Sequence, residues 1–121
     1  REEWFKSLNV GRLKHSLYRS DNLVAMAKAG RAQRIGDFTT EKAIRYTQGA
    51  NAGQVVRLAR GGKNDAYGVP DLVDYKNNVI YDLKPKGGTQ NLREVELFYQ
   101  KLYKEATGVK PTIRFDYYDR Y

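Results

Sequence analysis

Residues 69–86 constrain the fold more than any other stretch of this chain. They read Val-Pro-Asp-Leu-Val-Asp-Tyr-Lys-Asn-Asn-Val-Ile-Tyr-Asp-Leu-Lys-Pro-Lys. Two strand-like runs flank Lys76-Asn77-Asn78, a turn built on asparagine, which tolerates positive φ. The spacing predicts an antiparallel hairpin. Along a strand, residues i and i+2 share a face, so Asp82 and Lys84 stand side by side. The hairpin brings Asp71, in the neighbouring strand, near Asp82. Asp74 has the other strand parity, so it and Asp71 cannot both face the same side.

The rest of the pattern places this hairpin in an α/β chain. Residues 1–35 read as a helical extension, with Trp4, Phe5 and Leu8 at helical spacing and Gly11 as a break. Ser20 or Asp21 can cap a second helical stretch that Gly30 can end. Residues 37–48 carry a helix start of their own, with Thr39 or Thr40 as cap, Glu41 in the first turn and Gly49 at the end. Gln54 to Arg60 reads as a first strand, closed by Gly61-Gly62. Tyr67–Tyr75 and Val79–Lys84 are the next two. Asn91 opens a helix to about Ala106 with Leu92, Val95, Leu97, Phe98, Leu102 and Tyr103 on its buried side, and residues 112–118 form a last strand. The expected architecture is one domain over 1–121. Helices precede an αβββαβ core with a mixed sheet over 36–121.

Composition limits the chemistry. The chain has no cysteine, which excludes disulfides and thiolate metal sites. Its single histidine, His15, excludes a histidine metal cluster and reads as a surface or helix residue. Acid–base work therefore falls to Asp, Glu, Lys or Tyr. The net charge is +8, and residues 1–60 carry 12 Lys/Arg against 5 Asp/Glu. Such a surface suits a polyanion. Lys86, Arg57 and Arg60 are the candidate phosphate contacts. No run reaches the roughly 20 apolar residues of a membrane span.

Two carboxylates at one spot repel unless a cation neutralises them. Mg²⁺ or Mn²⁺ suits an all-oxygen site, and beside such an ion Lys84 can orient a water or steady a phosphate.

Pro70-Asp71 and Asp82-Leu83-Lys84 together resemble the signature of the PD-(D/E)xK nuclease superfamily, over about residues 37–119. The resemblance implies an αβββαβ restriction-endonuclease-like core and a Mg²⁺- or Mn²⁺-dependent endonuclease. It implies Asp71, Asp82 and Lys84 as catalytic residues. Asp71, Asp82 and the Leu83 carbonyl would hold the metal, with Glu41 on the preceding helix completing the site. Gln100 and Tyr103 match the accessory Gln and Tyr of that family by type, at a spacing one residue short.

A chain opening on Arg1-Glu2-Glu3-Trp4 with no initiator Met, small and basic, also resembles the C-terminal toxin domains of bacterial polymorphic or contact-dependent growth inhibition toxins. That resemblance implies a piece of a larger secreted or surface-delivered protein, acting in the cytoplasm of a target cell. It implies a cognate acidic immunity protein as partner. DNA is the expected substrate, tRNA the alternative, and a non-catalytic nucleic-acid-binding module the rival reading.

Overall fold

The structure is a computed structural model, and it describes residues 2–28, 38–40 and 42–119. Helix α1 runs Glu2–Lys28. Strand β1 is Phe38–Thr40, and β2 (Leu58–Arg60) and β3 (Lys63–Ala66) form a hairpin. Strands β4 (Leu72–Asp74) and β5 (Val79–Pro85) are followed by helix α2 (Leu92–Thr107) and strand β6 (Thr112–Tyr118).

The main sheet is mixed, in the order β1-β4-β5-β6. β4 pairs antiparallel with β1 and β5, and β5 runs parallel to β6 through the α2 crossover. The two faces of the sheet are covered differently. Val73 and Ile80, opposite one another, belong to a core with Val95, Phe98, Leu102 and Tyr103 of α2. Leu72 and Tyr81, the next pair, point the other way and pack with Tyr18 and Leu23 of α1. Period-two alternation in the hairpin thus feeds two apolar layers.

Helix α2 begins and ends where the sequence places it. The Asn91 side chain accepts from the Glu94 N–H at 3.2 Å, and Gly108 closes the helix in the left-handed conformation at φ 80°. Its buried stripe is Val95, Phe98, Tyr99, Leu102, Tyr103 and Ala106. Leu97 lies off that stripe and is exposed, and Tyr99 takes the buried place.

Three expectations are corrected. Gly11 does not break the first helix: α1 is continuous through it. Gly11 is buried, and a Cβ there would come within 3.1 Å of the Tyr118 hydroxyl, so the glycine serves close packing of α1 on β6.

The helix expected over 37–48 is not formed. Phe38–Thr40 is a strand on β4, and Arg45 bridges Val55. The Tyr46 N–H reaches the Gln54 carbonyl at 3.0 Å, and the Val56 N–H reaches Ile44 at 3.0 Å. Gly49 and Gly53, both at positive φ, turn the chain between these partners. A cap is worth about 1 kcal/mol. Here it loses to complete burial of Ile44 and Val56, each worth about 1.5–3 kcal/mol. Glu41 lies outside the described residues.

The third correction concerns the strand expected over 54–60. Only Leu58–Arg60 is a strand, and it pairs with β3 in a separate two-stranded sheet rather than in the core. The strand expected over Tyr67–Tyr75 is likewise shorter: it is β4, Leu72–Asp74, and Tyr67–Asp71 lies outside it.

Candidate active site

The site is built at the end of the β4–β5 hairpin remote from its turn. Leu72 pairs with Tyr81, so continuing the register one step sets Asp71 opposite Asp82. Both carboxylates are buried, at 7% and 4% exposure. Buried acids are costly unless partnered, and each of these has several partners.

Asp71 is held from three directions. The Leu83 N–H donates to Oδ2 at 2.8 Å. His15 Nδ1 lies 2.6 Å from Oδ1, and Arg19 Nη1 lies 3.5 Å from the same oxygen. His15 and Arg19 are four residues apart, on one face of α1. Burial works against the Asp71 charge, but the bonds from His15, from the neighbouring Asp82 carboxyl and from Leu83 outweigh it. The carboxyl stays below its ordinary range. An ionised carboxylate only accepts, so Nδ1 of His15 carries the hydrogen in this pair.

Asp82 has the opposite balance. Lys84 Nζ lies 3.0 Å from Oδ2, and the Tyr99 hydroxyl donates to the same oxygen at 3.3 Å. Burial, followed by the shared hydrogen bond with Asp71, pushes its pKa up to about 6. The hydrogen bond between the two carboxyls lowers one and raises the other: Asp71 is held ionised, and Asp82 is the member that takes up a proton. Burial, and after it the Asp82 charge, raises the Tyr99 phenol above its ordinary value.

The candidate residues from the sequence divide accordingly. Asp71, Asp82 and Lys84 come together. Asp74 faces away: its carboxylate accepts from the Lys76 and Asn77 N–H groups and caps the hairpin turn. Tyr103 is fully buried at the turn end of the hairpin, away from the carboxylate pair, stacked on Tyr75 and donating to Asn78 Oδ1 at 2.8 Å. Gln100 is half-buried and makes no hydrogen bond to either carboxylate among the described residues. Lys86 is exposed and pairs with Asp119 at 3.2 Å. Arg57 and Arg60 lie at the β2–β3 hairpin, with Arg60 stacked on Phe98 at 4.8 Å and paired with Glu94 at 3.3 Å.

Sequence reasoning missed His15, Arg19 and Tyr99. Tyr99 was legible in principle, because 95, 98/99, 102/103 and 106 form one helical stripe. His15 and Arg19 carry only their i, i+4 spacing, and nothing local ties them to a strand 56 positions away.

The donor set suits a hard cation. Two oxygen acids compete for one proton, which is the charge a divalent ion would relieve. Among the described residues no three His, Asp or Glu side chains are grouped to hold an ion. Mg²⁺ commonly takes one or two carboxylates and completes its shell with water or phosphate, so a carboxylate pair suffices. Comparison with family models, with curated proteins and with solved structures finds no match to this chain.

Proposed function

We propose that the chain is a metal-dependent nuclease acting on phosphodiester bonds, with DNA ahead of tRNA as substrate. The observation that carries this reading is the convergence of two buried carboxylates with Lys84 at the open end of the β4–β5 hairpin, in a chain of net charge +8. The order α1-β1-β4-β5-α2-β6 around a mixed sheet supports reading the core as restriction-endonuclease-like.

Asp71 and Asp82 would hold Mg²⁺ or Mn²⁺, with the Leu83 carbonyl as a further oxygen. When bound, the ion supplies a Lewis acid for the phosphoryl oxygens. The protein's own groups do the positioning. The Leu83 N–H and His15 fix the Asp71 carboxylate from two sides. The Tyr99 hydroxyl and Lys84 fix Asp82. Lys84 is one-fifth exposed at its side chain, so its ammonium faces both Asp82 and solvent. From there it orients an attacking water and balances the charge that grows on the phosphate.

The reading extends to a bacterial toxin domain delivered into a target cell, with an acidic immunity protein covering the basic surface. Its support here is charge alone. Among the described residues no helix is long and apolar enough to cross a membrane.

The test is cleavage of plasmid DNA and total tRNA by wild type, Asp82→Ala and Lys84→Ala, each with Mg²⁺, Mn²⁺ or EDTA. Metal-dependent cleavage by wild type, lost on Asp82→Ala and lowered at least about a hundredfold by Lys84→Ala, supports the reading. Cleavage retained by Asp82→Ala, or none by wild type with either metal, sinks it.

A further inference from the structure

We infer that the β2–β3 hairpin is an arm that enters the major groove of B-form duplex DNA beside the Asp71–Asp82 site. The inference rests on the nucleic-acid reading above and narrows its substrate to duplex DNA.

The hairpin stands apart from the main sheet as its own two-stranded ribbon. Its base is anchored, because Leu58 and Ala66 pack on the core. Its tip is not: residues 61–65 are all exposed. The tip turns on Gly61 at φ 58°, and a Cβ at Gly61 or Gly62 would meet no atom within 4 Å. Among the described residues, no packing against the rest of the fold holds this tip.

Its chemistry is cationic and fixed in place. Arg57, Arg60 and Lys63, with Asp65 and Tyr67, line an open hollow of about 340 Å³. The Arg57 guanidinium lies 4.8 Å over the Tyr67 ring and donates to the Asp65 carbonyl at 3.2 Å. Arg60 is held by Phe98 and Glu94. Each arginine keeps further N–H donors beyond those bonds. Three cations face one ribbon carboxylate, Asp65, and Glu94 already serves Arg60.

The position fits a single duplex. Asp71 follows Ala66 by five residues, at most about 18 Å of chain. Gly68 in that linker is seated directly on Tyr99, whose hydroxyl touches Asp82. The base of the ribbon and the carboxylates therefore lie closer together than one helical turn of duplex, about 34 Å.

The shape selects among nucleic acids. The B-DNA major groove, about 12 Å wide, admits a two-stranded ribbon. The A-form major groove is deep and narrow and excludes one. Single strands bind by aromatic stacking platforms, and neither β2 nor β3 carries an aromatic side chain; Tyr67, the next residue, already has Arg57 over one face of its ring.

The test measures binding in EDTA to a duplex of about two helical turns, to duplex RNA of the same sequence and to one DNA strand, across a salt series. The proteins are wild type, Lys63→Glu and Arg57→Ala/Lys63→Ala, all changes at exposed positions. Wild type is expected to hold duplex DNA at least about tenfold tighter than duplex RNA. Both variants should lose about tenfold on duplex DNA and abolish the preference, and the double variant's salt slope should fall by about two. Equal affinity of wild type for duplex RNA or the single strand overturns the inference. So do variants that bind duplex DNA as wild type does. Plasmid cleavage with Mn²⁺, run in parallel, separates the two readings. Cleavage with ribbon-independent binding refutes the arm alone. Ribbon-dependent duplex binding without cleavage upholds the arm and refutes the nuclease.

Discussion

His15 Nδ1 stands 2.6 Å from Asp71 Oδ1, across 56 residues of sequence. The contact ties α1 to the hairpin, and it stabilises the charge on one of two adjacent carboxylates. A hydrogen bond to a charged group is worth about 1.5–3 kcal/mol. The His15 side chain is 30% exposed, so the lower part of that range applies. His15→Ala is expected to lower stability by about 1–2 kcal/mol in urea unfolding. The Asp71 carboxyl should move upward in a ¹³C NMR titration. An unchanged Asp71 titration would show that Arg19 and the Leu83 N–H suffice to hold it.

Asp82 has the reverse relation to stability. Its pKa, pushed up to about 6, means that the ionised form is less favourable in the fold than in water. At neutral pH the neutral amide of Asp82→Asn relieves that burden and can donate to Asp71. The variant is expected to be more stable than wild type by about 1–2 kcal/mol in EDTA, while losing cleavage. Excess Mg²⁺ should narrow the gap, by binding wild type and not the variant. Thermal unfolding with and without metal checks both halves.

Four buried or half-buried tyrosines, Tyr18, Tyr75, Tyr99 and Tyr103, all have phenols raised above the ordinary value, each first by burial. A raised folded pKa favours the protonated form. The contribution is therefore whole below the unfolded value of about 10 and is lost as pH rises past it. Stability should be flat with respect to these groups from pH 7 to about 9 and fall steeply above 10. In a tyrosinate absorbance titration, part of the signal should appear only together with loss of far-UV circular dichroism. A full, smooth titration that leaves the fold intact would contradict this.

The hairpin and α2 were legible because their signals are local and agree with one another. Asn77-Asn78 sits between two β-branched runs, and Asn91 and Gly108 bracket one amphipathic stripe. Strand parity also placed Asp82 with Lys84 and set Asp71 and Asp74 on opposite sides, leaving open which of the two faces the site. Residues 38–56 were not legible, because Thr39-Thr40-Glu41 carries cap chemistry while the chain's partners lie elsewhere. Thr39 pairs with Val73, and the Ile44 N–H donates to the Gly68 carbonyl. The same limit hid His15 and Arg19. A helix face states that it is polar, not which carboxylate it will meet.

Gly11 offers a test of close packing. Replacing a helix-interior glycine by alanine ordinarily gains up to about 1 kcal/mol. Here the new Cβ would sit 3.1 Å from the Tyr118 hydroxyl. Gly11→Ala alone is expected to give no gain, because Tyr118 must shift. In a Tyr118→Phe background the obstructing oxygen is gone, and the same substitution should gain about 0.5–1 kcal/mol. A double-mutant cycle reads the coupling directly. Additivity of the two changes would refute the close approach.

Gly68 is the sterner case, since its neighbours cannot yield as easily. A Cβ there would lie 2.8 Å from Tyr99 Cε1 and 2.9 Å from Leu102 Cδ1. Both belong to the buried stripe of α2, and Leu102 is wholly buried. Overpacking of this kind costs about 1–3 kcal/mol. The strain also has a direction, because Tyr99 carries the hydroxyl that donates to Asp82. Gly68→Ala should therefore lower both stability and the cleavage rate of the folded fraction. Asp74→Ala supplies the contrast. It removes the buried carboxylate that caps the turn with three bonds, at 3.1, 3.0 and 3.0 Å, and should cost at least as much stability. Yet it lies at the far end of the hairpin. Its cleavage rate per folded molecule should stay near wild type, while that of Gly68→Ala falls. Equal rates for the two variants, corrected for the folded fraction, would show that Tyr99 does not position Asp82.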